Sequence, residues 1–326
     1  MLCPIVVGMA ISVFPTRETN LRNVNKVWRN MAIAFYIIIV LKAGVSVTKA
    51  LPTVTGLAAE VMTVALLATL FAAYYAYGEK KYFILWLGLV AIPIIAMTRT
   101  GMVATSLTLP LTFAPLKVYK RSAIFIAIVV AGAALFYTER FQQRMFYSEE
   151  GSISEVRLDN PDLRTTGRMA LWELLDQKIR TKPWFGHGAN AQEEFIFSIT
   201  GFKGQPHNDW KRLLFDYGYV GTLVFGLCMV MQVFHAWRSG RVTAGETRIL
   251  FYSAASSFVP LVIFMMTDNI ILYAAFFGNL QFTLLGLAYG SLRTSMKDAA
   301  MFQNRPLRLG SNPVRRPGPP FPKMFS

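Results

Sequence analysis

The chain has 326 residues, of which 54% are hydrophobic and 16% are charged, and its mean hydropathy is +0.40. This composition excludes an ordinary soluble globular protein and predicts a polytopic membrane protein. The formal net charge of +15 would suit a nucleic-acid partner in a soluble protein, but its distribution along the chain indicates membrane topology instead.

Apolar segments near the length of a membrane-spanning helix, about 20 residues, recur along the sequence. A short apolar run over 1–14 is interpreted as the first, with a signal-like segment as the alternative; no small-residue cleavage pattern follows it. The prediction is an all-α polytopic membrane protein with about nine transmembrane helices. The further spans are expected near 30–47, 54–77, 82–98, 100–116, 121–137, 214–236, 248–267 and 270–292.

Basic residues are concentrated in segments that fall on one side of the membrane in this topology. Of the 33 Lys and Arg residues, 19 lie in four short loops and the C-terminal tail, and short basic loops stay cytoplasmic. The same charges would contact anionic membrane lipids. The five segments are 17–29, 79–81, 117–121, 238–248 and 293–326.

Four regions follow from this topology. N-terminal membrane helices over 1–137 precede a large external loop over 138–213, and C-terminal membrane helices over 214–292 precede a disordered basic tail over 293–326. The segment from 138 through Asp216 carries 11 basic and 12 acidic residues, a near-neutral mixture typical of a folded, water-exposed region.

The apolar run from 82 to 116 is too long for one span, and the sequence Thr98-Arg99-Thr100-Gly101 interrupts it. The alternation of sides places this break on the outer face, next to the external loop. From the residues alone, Arg99 is either part of a site there or an arginine that extends to the membrane interface.

One helix is predicted inside the external loop, with Thr165-Thr166 as its N-cap candidate and Lys182-Pro183 as its stop. Arg168 and Trp172 lie at positions i and i+4 of its apolar stripe, so both should face the rest of the protein. A second segment, EEFIFSITGF, is predicted to be a short amphipathic helix along the membrane surface.

His207 precedes Asn208, a good N-cap residue, at the start of a membrane helix. The positive end of that helix disfavours an imidazolium, and a neutral imidazole suits a general base. A capping histidine without chemistry is the alternative.

Arginine side chains on the outer side could bind an anion, because guanidinium pairs bidentately with phosphate. Arg99, Arg164 and Arg168 are the candidates, with salt bridges inside the loop as the favoured alternative for Arg164. The sequence has no motif for a metal ion, a nucleotide phosphate or a dinucleotide, so no metal or cofactor is expected.

Three landmarks of the sequence resemble the O-antigen ligase and O-antigen polymerase superfamily of bacterial inner-membrane proteins. The first is the Thr-Arg-Thr-Gly break. The second is Gly167-Arg168 followed by a Trp172-containing helix and the turn PWFGHG. The third is His207-Asn208, nine residues, and then Gly218-x-x-Gly221.

The resemblance implies a GT-C-like fold and a metal-independent, inverting glycosyltransferase with its active site facing the periplasm. The donor would be a glycan on undecaprenyl diphosphate, and the acceptor a hydroxyl of a lipid or saccharide. By position, Arg99 and Arg168 would bind the diphosphate and His207 would deprotonate the acceptor. Asn208 and Trp172 would belong to the same substrate site.

Three functions are compatible with these observations. The His-Asn-x9-GxxG spacing favours a ligase that transfers the glycan en bloc, and a polymerase of the same superfamily that makes O-antigen or exopolysaccharide is the alternative. A lipid-linked oligosaccharide transporter is less favoured, because flipping should place charges along a central cavity, whereas here they cluster at one face.

Overall fold

The regular secondary structure in the computed structural model is helical. The structure describes residues 2–48, 58–157, 160, 162–164 and 167–303. Within these ranges the only strand-like pairing outside the helices is an isolated antiparallel bridge between Phe146 and Leu163. The all-α prediction is therefore confirmed for the described residues.

Six helices precede the long loop. They are α1 (Leu2–Val13), α2 (Glu18–Thr48), α3 (Ala58–Ala76), α4 (Lys81–Ile95), α5 (Arg99–Ser106) and α6 (Val118–Phe136). The loop contains α7 (Glu139–Met145), α8 (Arg168–Ile179) and α9 (Ala191–Thr200), together with a short 3-10 helix over Ile153–Glu155. The C-terminal helices are α10 (Asp209–Val242), α11 (Gly245–Ser256), α12 (Phe258–Thr267) and α13 (Gly278–Gln303).

The helix α3 forms the centre of the bundle. Its residues from Val61 to Tyr74 are almost completely buried, as expected for a helix that is apolar on every side. It packs against α4, α5 and α11, and α11 in turn packs against α10 and α13. The N-terminal α1 packs along α13.

By length and composition, five helical segments of the described chain can cross a membrane. They are Glu18–Leu41, Ala59–Ala76, Val118–Phe136, Asp209–Val242 and Gly245–Thr267, and Cys3–Val13 and Lys81–Ile95 are shorter apolar helices. These segments overlap seven of the predicted spans, and 54–57 lies outside the described residues. The predicted disordered tail over 293–326 is wrong for 293–303, because α13 continues to Gln303; residues 304–326 lie outside the described residues. The total of nine spans stays a prediction.

The predicted span 100–116 is not a continuous helix. The helix α5 ends at Ser106, and turns lead to Leu116. Pro110 lacks a backbone N–H, and the segment is buried in the bundle, where side chains satisfy its backbone: the N–H of Phe113 donates to Ser256 Oγ at 2.9 Å. Non-helical backbone at membrane depth is tolerated where protein surrounds it.

The last predicted spans also differ in their boundaries. The segment 248–267 is divided into α11 and α12 at Ser257, and 270–292 begins as a loop, with α13 starting only at Gly278. The resulting 268–277 loop joins α12 to α13. Its apolar sequence predicts a helix, but the structure has turns there, and part of its backbone is hydrogen-bonded to side chains of other helices.

Candidate functional site

The 268–277 loop lies at the end of the bundle to which the 138–208 segment is attached, here named the loop end. Thr267, the last residue of α12, connects two predicted site elements there. Its carbonyl oxygen accepts a hydrogen bond from Arg168 Nη1 at 2.8 Å, and its hydroxyl lies 2.6 Å from that of Thr100. The first residues of α5 and of α8 therefore both contact Thr267.

Arg99 and Arg168 approach each other closely enough to interact electrostatically. Desolvation by the surrounding protein, followed by the positive charges of Arg168 and Arg144, lowers the pKa of Arg99. Arg99 Nη2 donates to the carbonyl oxygen of Arg164 at 3.0 Å. Among the described residues no carboxylate forms a salt bridge with either group, and guanidinium groups that repel one another in this way are suited to bind an anion between them.

Arg164 has contacts of its own within the loop. Its guanidinium lies 3.9 Å from a carboxylate oxygen of Glu149 and packs over the ring of Tyr147, at 5.2 Å from the centroid. These contacts agree with the salt bridge predicted as the alternative. The backbone of Arg164, through its carbonyl, supports Arg99.

His207 faces the first two residues of the 268–277 loop. Its Nδ1 lies 3.5 Å from Asp268 Oδ1 and 3.2 Å from Asn269 Nδ2, and the side chain is 40% exposed, so a substrate can reach the ring. The backbone of His207 has a φ of 49°, in a region that non-glycine residues seldom adopt.

Two oxygen acceptors are available to Nδ1 of His207. Asp268 Oδ1 can accept a hydrogen bond from an Nδ1–H, and so can Asn269 Oδ1, which has no hydrogen-bond partner among the described residues, if the amide is turned by 180°. An Nδ1–H held by these acceptors leaves the lone pair on Nε2 available to accept a proton.

Asn208 and Trp172 fix the segment that carries His207. The Asn208 side chain accepts a hydrogen bond from the N–H of Lys211 at 3.0 Å, which confirms the predicted N-cap of α10. Trp172 donates its indole N–H to the carbonyl oxygen of Pro206 at 2.6 Å. In this structure Trp172 therefore supports the histidine segment through its polar edge.

The helix α8 is confirmed at Arg168–Ile179, but its N-cap is Gly167 and not the predicted Thr165-Thr166, which lies outside the described residues. Leu175 and Ile179 pack with Phe215 of α10. The apolar stripe thus docks α8 against the membrane helix that follows His207.

Two glycines bring the PWFGHG turn into direct contact with α10. The N–H groups of His187 and Gly188 donate to the carbonyl oxygens of Phe215 and Asp216, both at 2.9 Å. A Cβ at Gly186 would lie 2.5 Å from the carbonyl of Asp216, and one at Gly218 would lie 2.4 Å from that of Trp184. The two backbones cross so closely that only glycine fits at both positions.

An apolar cavity of about 650 Å³ borders this site within the membrane region. Its wall includes Ile270 and Ile271, which directly follow Asp268 and Asn269 in the loop. The remaining wall comes mainly from α10, α12 and α13, with Phe225, Phe258 and Phe282 among its residues. Apolar space therefore lies beside the loop that carries Asp268 and Asn269.

Sequence reasoning missed Asp268, Asn269 and Arg144. The signal for the first two was a Thr-Asp-Asn triplet between two apolar runs that were interpreted as adjacent spans. Arg144 gave no signal beyond its charge. Among the residues that the structure describes, no three His, Cys, Asp or Glu side chains lie where they could share a metal ion.

Comparison with known proteins agrees with this geometry. Residues 83–226 match the family model described as O-Antigen ligase, a range that includes Arg99, Arg168 and His207 but not the 268–277 loop. No curated protein is significantly similar to the chain. The apolar helices indicate a multi-pass membrane protein. The match confirms the resemblance predicted from the sequence: residues 83–226 are similar to the O-antigen ligase family.

Proposed function

We propose that the chain transfers a glycan from undecaprenyl diphosphate to an acceptor hydroxyl, as an O-antigen ligase-like enzyme of the bacterial inner membrane. One observation carries the proposal: Arg168 and His207 contact the segment Thr267–Asn269 at a single end of the bundle, and Arg99 lies close enough to Arg168 to interact with it electrostatically. The topology predicted from the basic loops supports a periplasmic location for this end, with 138–213 as the external region.

In this reaction His207 Nε2 removes the proton of the acceptor hydroxyl. The acceptor oxygen attacks the anomeric carbon of the donor sugar from the face opposite the diphosphate, so the configuration inverts. The bond to the diphosphate breaks, and the leaving group departs with the electron pair. Arg99 and Arg168 stabilise its negative charge, a role that preorganised cations perform well in a site of low dielectric.

The surroundings of the site suit this donor. A lipid diphosphate needs cations near the membrane surface and apolar space below them for its chain. The guanidinium groups supply the cations, and the cavity beside the 268–277 loop offers the apolar space. Arg144 would add a third positive charge at the diphosphate.

The test is transfer by the purified chain in proteoliposomes, with lipid-linked oligosaccharides extracted from the organism that carries the gene. We expect His207→Ala to lower transfer by roughly 10²- to 10⁴-fold while binding of undecaprenyl diphosphate persists. His187→Ala serves as the matched control, because it removes another histidine of the same region. The Nε2 of His187 contacts the carbonyl oxygen of Lys178 in the last turn of α8. Transfer by His207→Ala at the wild-type rate would exclude His207 as the base.

Product analysis in the same assay separates the alternatives. A glycan attached to a separate lipid or saccharide acceptor supports the ligase, whereas a lengthened polyprenyl-linked chain identifies a polymerase. Movement of the donor across the bilayer without a new glycosidic bond would identify a transporter.

A further inference from the structure

Asp209 is a completely buried carboxylate only two residues from His207. It is the first residue of α10, and its Oδ2 accepts a hydrogen bond from the backbone N–H of Ile271 at 2.9 Å. Its Oδ1 is buried without a hydrogen-bond partner in the described part of the chain. Burial of a carboxylate is costly unless it has partners, so this position needs a reason beyond the start of a helix.

Ile271 belongs to the same loop as Asp268 and Asn269. The bond from Asp209 to Ile271 and the contacts of His207 with Asp268 and Asn269 join the same two short segments, 207–209 and 268–271. Each segment is therefore held to the other at two points. The Asp209 bond therefore attaches the loop to this helix without involving the histidine side chain.

The loop is otherwise held by backbone bonds within its own turns and by a hydrogen bond from Thr63 Oγ1 to the carbonyl oxygen of Phe276. Residues 268–277 form turns instead of a helix, although most of them are apolar. Turns leave backbone N–H groups in need of acceptors, and a buried N–H without one is unfavourable. Asp209 supplies the acceptor at Ile271, and Arg212, one turn further along α10, lies close enough to interact with the Asp209 carboxylate.

We propose that Asp209 is a positioning residue that locks the 268–271 segment against the start of α10. In this position Asp268 and Asn269 orient the imidazole of His207 and hold its tautomer. The inference rests on the proposed function for its effect on transfer, whereas the lock itself is a property of the fold that can be measured without any substrate.

The two substitutions Asp209→Asn and Asp209→Ala separate the hydrogen bond from the charge. An asparagine keeps a carbonyl oxygen where the bond to Ile271 is made, and alanine removes it. We expect Asp209→Ala to lower kcat about 10²-fold, because small displacements of a catalytic group have effects of this size, with KM for the donor nearly unchanged. Asp209→Asn should stay near the wild-type kcat.

Asp176→Ala is the matched control. Asp176 is a neighbouring acid that pairs with Lys211 of the same helix, but its side chain is 48% exposed. This variant should show the wild-type kcat. Binding of undecaprenyl diphosphate, which requires the arginines and not the histidine, should be the same in all these variants.

Hydrogen–deuterium exchange of the detergent-purified protein tests the lock independently of activity. Peptides from 268–277 should exchange faster in Asp209→Ala than in Asp209→Asn, with exchange in α11 unchanged. Unchanged exchange of the loop, or a wild-type kcat in Asp209→Ala, would overturn the inference.

The remaining outcomes also decide between the proposals. If Asp209→Ala does not fold, Asp209→Asn alone is decisive, and loss of its kcat would refute a role based on the hydrogen bond. A rise in KM without a fall in kcat would likewise contradict positioning of the base. Activity in His207→Ala overturns the proposed function instead, and the exchange of the loop then still reports whether Asp209 holds it.

Discussion

The crossing of the PWFGHG turn over α10 leads to a quantitative prediction for Gly218. Its backbone has φ 65° and ψ −168°, a conformation that is essentially restricted to glycine. Replacing it by alanine would add a Cβ at 2.4 Å from the carbonyl carbon and oxygen of Trp184 and at 2.6 Å from the nitrogen of Gly186. All three atoms belong to backbone and cannot move aside as a flexible side chain would.

Two contributions determine the expected loss of stability in Gly218→Ala. Backbone strain of this type costs about 1–3 kcal/mol, and overpacking adds about 1–3 kcal/mol. The free energy of unfolding should therefore fall by about 2–6 kcal/mol. In a chain somewhat smaller than this one, each kcal/mol of lost stability lowers Tm by roughly 2 °C. The Tm of Gly218→Ala should therefore fall by about 4 °C or more.

The assay is thermal unfolding of the purified protein in detergent, followed by tryptophan fluorescence. Gly226→Ala is the matched control, since Gly226 lies in the same helix and a Cβ there meets nothing within 4 Å. This control should be neutral or stabilising by up to about 1 kcal/mol. A wild-type Tm for Gly218→Ala, or an equal loss in both variants, would refute the close backbone crossing.

Three further predictions concern the site. Arg168→Lys should lower the rate of glycan transfer about 10-fold or more, because an ammonium cannot reproduce bidentate phosphate contact, and full activity would remove Arg168 from the donor site. Asp268→Asn should lower kcat about 10-fold or more, since an amide can turn its N–H₂ toward Nδ1, and an unchanged kcat would exclude its role in setting the tautomer. Trp172→Phe loses the bond to Pro206 and should destabilise the protein by about 1 kcal/mol, measured by thermal unfolding, with an unchanged Tm contradicting this support.

The sequence predicted the parts of the site that depend on local patterns. The interruption of an apolar run exposed Arg99, the cap residue Asn208 marked the start of α10, and helical spacing placed Arg168 and Trp172 on one face. Each of these features involves residues within a few positions of one another, so propensity and periodicity were sufficient to find them.

Features that depend on distant residues could not be predicted in this way. The apolar sequence after Asn269 predicts the start of a helix, but the N–H of Ile271 donates to the carboxylate of Asp209, 62 positions earlier. The non-helical segment after Ser106 likewise bonds to distant side chains, the hydroxyl of Ser256 and the guanidinium of Arg121. These acceptors and donors come from elements that hydropathy does not connect.

The non-helical segment after α5 has a consequence for the position of Arg99. Thr112 and Phe113 are tied to the hydroxyl of Ser256, and Arg121 donates to the carbonyl of Thr112 at 2.9 Å. The chain that follows the short helix of Arg99 is thus anchored to α6 and α11. Side chains far along the sequence from Arg99 therefore hold the segment from which its helix extends.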